Sequence, residues 1–284
     1  MSASRSVSIA LVALLALAAP ALGQDPTAPL VAPEPPVAGA NPCLGPLAPS
    51  LRCPDLVMRA PYDLRIDLRE RPGRVLLRAA NSIDSVGAGP VELRGRRDGP
   101  TIAVTQRIYG IGGAPLDVPT RARLGFYPIP GQGRFWKFRN AARFELWRLD
   151  DAGRRVRLER LGPKVYYCFR DLQRRNPSPG SPGRPVYPAC NKRAGTRAVT
   201  LGTSVGWSDV YPAGYHEQWI DVTGLRGRFA LVHIADPGNG IFEADEANNA
   251  AETVVQLPYR GGGSRRRTPA PPPVGGPSGS GEGY

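Results

Sequence analysis

Eight short runs in this chain alternate apolar and polar residues with a period of two. They are "DLRIDLRE", "GRVLLRAANSIDSVG", "GPVELRGRR", "TIAVTQRIYG", "ARFELWRL", "EQWIDVTG", "GRFALVHIAD" and "AETVVQLPY". Gly, Pro, Asn and Asp bound them, as expected for strands ended by turns. In "ARFELWRL" the alternation puts Phe144, Leu146 and Arg148 on one face and Arg143, Glu145 and Trp147 on the other. No stretch sustains the 3.6-residue period of a long helix. The expected fold is all-β: a sandwich-like single domain with long loops and disulfides.

The N-terminus sets the compartment. Arg5 precedes an apolar run, Ile9 to Ala19, that ends in "ALGQ" with small residues at Ala21 and Gly23. This reads as a cleavable secretory signal over residues 1–23, with Gln24 the new N-terminus. The run falls short of the roughly 20 residues a bilayer-spanning helix needs. No cysteine follows it closely, so a lipid anchor is not indicated. The expected location is secreted, periplasmic or extracellular. Residues 24–42 are rich in Pro and Ala and read as an extended linker, and residues 260–284 as a disordered basic tail of Gly, Pro, Ser and Arg. The folded domain is expected at 43–259.

Four cysteines follow the signal: Cys43, Cys53, Cys168 and Cys190. An even count in an exported chain favours disulfides and allows three pairings. The favoured set is Cys43–Cys53 and Cys168–Cys190, each closing a short Pro-rich loop. The spacings match no zinc knuckle.

The chain carries a net charge of +13, and residues 43–259 alone hold 32 basic and 21 acidic side chains. Such a surface attracts acidic extracellular polymers or proteins, or anionic membranes. A coding bias toward arginine produces the same excess. No basic strip interleaved with aromatics is present, and export argues against nucleic acid as a partner. Lysine is rare: only Lys137, Lys164 and Lys192 are not arginine among 37 basic residues. Lys164 is therefore either an ordinary exposed cation or an amine retained for chemistry that a guanidinium cannot perform.

A set of segments in one order gives that lysine a context. "CPDLVM", "RVLLRAANSIDSVGAGPVELRG", "RFWKFRNAARFELWRLD", "GPKVYYCFRD", "GWSDVYPAGYHEQWIDVTGLRGRFAL" and "DPGNGIFEADEANN" together resemble the catalytic domain of the lysyl oxidase family in its bacterial type. The resemblance covers most of residues 53–259. It implies that Lys164 and Tyr211 match the two precursors of a lysyl tyrosylquinone cofactor, in which a lysine amine adds to an oxidised tyrosine ring. It also implies a copper ion held by three histidines at alternate positions of one strand. Here those positions are Gly133, Phe135 and Lys137, and none offers an imidazole. The chain's two histidines, His216 and His233, lie elsewhere. Lys137 is then either a surface residue or a fixed cation in the vacated place. The resemblance further implies a calcium site joining Asp55 and the Leu56 carbonyl to Glu243, Asp245, Asn248 and Asn249, all hard oxygen donors.

Two function classes follow. One is a pseudo-enzyme, a binding or structural domain without copper or quinone. The other is an active amine oxidase, acting on peptidyl lysine or other primary amines through an altered metal site. A third reading is weaker. "GTSVG" at 202–206, followed by Asp221 and His233, has the residue order of an α/β hydrolase but lacks the helix that must follow the nucleophile.

Overall fold

The computed structural model describes residues 41–98 and 101–261. The expected signal, most of the linker and nearly all of the basic tail lie outside these residues. After a short 3-10 turn at Ala48–Ser50, the described residues form seventeen strands. The first four are β1 (Leu51–Arg52), β2 (Leu56–Met58), β3 (Tyr62–Asp67) and β4 (Leu76–Ser85). β5 (Val91–Asp98), β6 (Thr101–Gly110), β7 (Leu116–Ile129) and β8 (Gly133–Arg139) follow as a meander, then β9 (Ala142–Leu149) and β10 (Arg155–Leu161). β11 (Tyr166–Tyr167) and β12 (Gln173–Arg174) precede a long loop. β13 (Ala198–Thr203), β14 (Trp207–Tyr211), β15 (Trp219–Asp221), β16 (Gly227–Ala235) and β17 (Ala250–Leu257) complete the chain. The fold is all-β, as the period-two pattern predicts, and each of the eight runs contains a strand.

The strands form three antiparallel sheets. One runs β11-β8-β7-β6-β5-β13, with β1 added to β6; the second runs β10-β9-β16-β17; the third runs β12-β14-β4-β15, with β2 and β3 also on β4. A single large core takes side chains from all three: Leu93, Ile102, Leu124 and Trp136 from the first, Phe144, Leu146, Phe229 and Leu231 from the second, Leu77, Ile83 and Ile220 from the third. Among the described residues no helix is long and apolar enough to cross a membrane.

Two disulfides close the expected pairs, Cys43–Cys53 and Cys168–Cys190, with Cα–Cα distances of 5.7 and 5.8 Å. No cysteine is free among the described residues.

The alternation in β9 needs one refinement. Phe144 and Leu146 enter the core, and Arg148 lies 4.7 Å from the Phe229 ring centroid. On the opposite face Glu145 is only 3% exposed. Arg143 pairs with it at 2.6 Å, and the Trp147 indole donates to it. Burying a carboxylate is tolerated when it is paired and hydrogen-bonded.

Every residue of β4 is buried: strands pair with both of its edges along its length, and both of its faces are covered. β2 and β14 pair with its second half, β3 and β15 with its first. Its polar residues therefore act inside the molecule. Arg78 pairs with Asp67 at 2.6 Å and with Glu70, and donates to the carbonyls of Ala213 and Tyr215 at 3.0 Å. That fixes the turn after β14, where the candidate site lies.

Candidate functional site

The segment holding Lys164 is shaped by the glycine two residues before it. Gly162 leaves β10, and its N–H donates to the Phe144 carbonyl at 2.9 Å. A Cβ at Gly162 would sit 2.9 Å from the Phe144 Cβ and 3.0 Å from the Trp219 carbonyl oxygen. Only glycine lets the chain pass so close to β9 and β15. The Val165 carbonyl then accepts from the Ala141 N–H at 3.0 Å. Lys164, held between these anchors, points inward and is 1% exposed. The exposed-cation reading of Lys164 is therefore overturned: three strands and a turn cover it.

Its ammonium sits against three tyrosine rings. Nζ lies 4.9 Å from the centroid of Tyr211, 4.8 Å from Tyr215 and 5.2 Å from Tyr167. The rings also contact one another edge-on, Tyr167–Tyr211 at 4.6 Å and Tyr211–Tyr215 at 5.0 Å. The Tyr167 hydroxyl is oriented by Asn81, whose amide donates to it at 2.9 Å, and by Gln218 at 3.3 Å. The aromatic faces attract a cation, but no hydrogen-bond acceptor or carboxylate pairs with Nζ among the described residues. Burial and the nearby Lys137 charge push the Lys164 amine down to about 7. Burial holds the Tyr211 phenol well above its ordinary range.

Lys137 is drawn into the same cluster. It lies on β8, on the same face as Phe135, and is 3% exposed. The surface-residue reading is overturned here too, because the covering segments, β14 and the 212–217 turn, lie far along the chain. Burial lowers its amine to about 8, against the opposing pull of Asp209 and Glu217. Asp209 shares a face of β14 with Tyr211. It is fully buried, and apart from the neighbouring Tyr211 hydroxyl, which helps to favour its charged form, its carboxyl oxygens meet no donor among the described residues. Burial raises its pKa to about 7, although Arg170, Lys164 and Lys137 favour its charged form. Lys137 also lines two openings. One is a narrow cavity of about 40 Å³ with Ile129, Phe135, Val210 and Tyr211; the other is a cleft of about 510 Å³ with Tyr127, Arg134, Tyr166, His216 and Glu217.

The copper positions do not fit a metal. β7 and β8 form a hairpin that begins at the Ile129–Gly133 pair. Gly133 lies at φ 100°, exposed, while Phe135 and Lys137 are buried. A glycine, a phenyl ring and an ammonium supply no imidazole, and a histidine at 133 would meet a backbone that favours glycine. His233 packs in the core, stacked on Phe144 at 3.7 Å, and burial lowers it to about 3. His216 stands in the cleft, 3.3 Å from Glu217. The described residues contain no group of three or more His, Cys, Asp or Glu side chains placed to share a metal ion.

The acidic turn after β16 does meet the start of the domain. The Asn248 amide donates to Asp55 at 2.9 Å, the Asn249 amide to Glu243 at 2.9 Å, and the Leu56 N–H to Glu243. Leu56 is thus joined to the acidic turn through its amide. The Asp245 carboxylate accepts from the Ala247 N–H at 2.8 Å. Glu246, which the sequence reading did not single out, accepts from Asn41 at 3.0 Å. Burial raises Glu243 well above its ordinary range and also raises Glu246 and Asp55. The oxygens Asn248 Oδ1, Asn249 Oδ1 and Glu246 Oε2 are buried without a hydrogen-bond partner.

Two other residues have structural duties. Asp171, last in "GPKVYYCFRD", accepts from the N–H groups of Val186, Tyr187 and Ser204 and from the Ser204 hydroxyl. It ties the long loop to the end of β13. That removes the hydrolase reading: Ser204 serves Asp171, Asp221 caps Thr223, and His233 is in the core. Tyr167, Tyr215, Asp209 and Gln218 complete the site without having been singled out. Their signal was adjacency: all lie inside the segments that carry the resemblance.

A comparison with curated proteins finds no match. The family model for lysyl oxidase matches residues 156–263, a span that includes Lys164, Tyr211 and the acidic turn but not β8. Over that segment the chain is similar to lysyl oxidase, consistent with a lysyl-oxidase-like domain.

Proposed function

We propose that this is an exported lysyl-oxidase-like domain that binds rather than oxidises. One observation carries the reading: the strand positions for copper hold Gly133, Phe135 and a buried Lys137. Copper of this kind favours nitrogen ligands such as imidazole. An ammonium near Lys164 instead adds positive charge to the place where a cation would have to sit. Without copper the Tyr211 ring has no route to a quinone, and Lys164 and Tyr211 remain separate side chains. The competing reading, an amine oxidase with an altered metal site, needs other ligands, and among the described residues lining the cleft His216 with Glu217 is the one imidazole–carboxylate pair.

The partner class we favour is acidic. A cleft of about 440 Å³ lined by Arg96, Arg97 and Arg197 supports this, as does the net charge of +13. We also propose that calcium ties the acidic turn to the domain start, through Asp55, Glu243, Asp245, Asn248 and Asn249 with Glu246 added. The three orphaned oxygens support this. Turning the Asn248 and Asn249 amides over would exchange N–H donors for oxygens facing the carboxylates. Calcium would supply charge neutralisation to a turn that has no cationic partner among these contacts.

The test of the main reading is peroxide release from primary amines by protein secreted with copper supplied. Background release is expected. Release that depends on added copper would establish the oxidase instead.

A further inference from the structure

We propose that the Lys137 amine is a covalent capture site for a short-chain aliphatic aldehyde, held as an imine at the inner end of the β7–β8 cleft. Lys137 is placed where an outside molecule can reach it. Although only 3% exposed, it lines both the cleft of about 510 Å³ and the narrow cavity of about 40 Å³, which also share Ile129. Lys164 lines neither, being enclosed by its three tyrosines. The inner cavity is small and walled by Ile129, Phe135 and Val210, which suits a short alkyl chain and excludes a bulky one. The Lys137 ammonium has no hydrogen-bonded or ion-paired acceptor among the described residues.

The surroundings raise the share of the neutral, reactive form well above that of an exposed lysine. The charges acting on Lys137 are Asp209 and Glu217, which favour its cation, and Arg170, which opposes it; burial outweighs them. Lys164, His216 and Arg134 complete the charged groups of this region. A cation is penalised in such a site, and a neutral amine is a nucleophile. The reaction balances without an oxidant. The amine lone pair forms a C–N bond to the carbonyl carbon, and the carbonyl π electrons pass to oxygen, which takes up a proton. The carbinolamine then loses that oxygen as water, and nitrogen gives up its remaining proton. Aldehyde plus amine yields imine plus water. Glu217, which lines the cleft with Lys137, is the carboxylate available there to take up and return protons.

The proposal rests on the reading that β8 does not hold copper, but it fails separately. Peroxide release reports on that reading; alkylation of Lys137 reports on this one. The chain contains only three lysines, and Lys192 is exposed, so the control is internal. The full chain is incubated with limiting propanal and cyanoborohydride at pH 7.5, and chymotryptic peptides are mapped by mass. An exposed lysine titrates near 10.4, with only a trace neutral at this pH. The expected result is about a tenfold excess of propyl adduct at Lys137 over Lys192, lost in Lys137→Arg while Lys192 labelling is unchanged. Labelling of Lys192 equal to or above Lys137 in the wild-type chain overturns the proposal without reference to any variant. So does an adduct on Lys137 that is as abundant with a bulky aromatic aldehyde as with propanal.

Discussion

The Lys164 amine lies 4.9 Å from the centroid of the Tyr211 ring, with both side chains buried and no metal ligand of the imidazole type on β8. The pair has the proximity that a cross-link requires and lacks, in the same cluster, the residues that would hold an oxidising copper. The neighbouring cation is Lys137. Burial shifts the two amines and the nearby Asp209 carboxyl, lowering the amines and raising the carboxyl.

Lys164 should cost stability at acid pH. A buried amine lowered to about 7 resists protonation in the folded state but not in the unfolded one. Its penalty is complete below about 7 and fades as pH rises toward the ordinary lysine range. Lys164→Met should therefore raise the unfolding free energy more at pH 6 than at pH 9. Each tenfold change in proton affinity is worth about 1.4 kcal/mol, so the difference should reach roughly 2 kcal/mol or more. Denaturant titrations at the two pH values measure it, and equal gains at both would contradict the burial of a cation.

The acidic turn should respond to calcium with a defined sign. Glu243, Glu246 and Asp55 are raised, so their protonated forms favour folding. That contribution is present at low pH and is lost as pH rises through the folded-state values. The gain in thermal midpoint from calcium over chelator should accordingly grow with pH. A hundredfold excess over Kd corresponds to about 2.7 kcal/mol. Glu243→Gln should raise the midpoint in chelator and shrink the calcium gain. Identical midpoints in calcium and chelator at neutral pH would refute the site.

Gly162 should be intolerant of even a methyl group. The Phe144 Cβ and the Trp219 carbonyl oxygen, at 2.9 and 3.0 Å from the position of a Cβ, belong to strands that cannot easily give. Gly162→Ala should destabilise by about 1–3 kcal/mol and should loosen Lys164, seen as faster acylation of that amine. A neutral effect on both would mean that the loop is not pinned against β9 and β15.

Much of the fold was legible because half-buried strands leave a period-two trace, which β6 and β17 carry clearly. β7 was not legible. Pro119 and Pro128 interrupt it, and Pro119 sits where the pairing with β6 shifts register after Ala103; proline lacks the N–H that a regular ladder uses. β13 and β14 are short, six and five residues, too brief for alternation to stand out. Both disulfide partners could be chosen by loop length. The burial of Lys137 and Lys164 could not be read, because alternation tells which residues share a face but not what covers it. The cover comes from Asp209, Tyr215 and their neighbours, brought close by β4 through Asn81 and Arg78. The glycine geometry at 133 was hidden for the same reason: it depends on the hairpin closing at Ile129.

The central claim is that Lys164 and Tyr211 remain unmodified in a domain that cannot build its own quinone. Peptide mapping of protein secreted with copper supplied tests it most directly. The account predicts separate peptides carrying Lys164 and Tyr211 at unmodified masses, with no quinone stain on the intact chain. A single cross-linked peptide joining Lys164 to Tyr211 would contradict it.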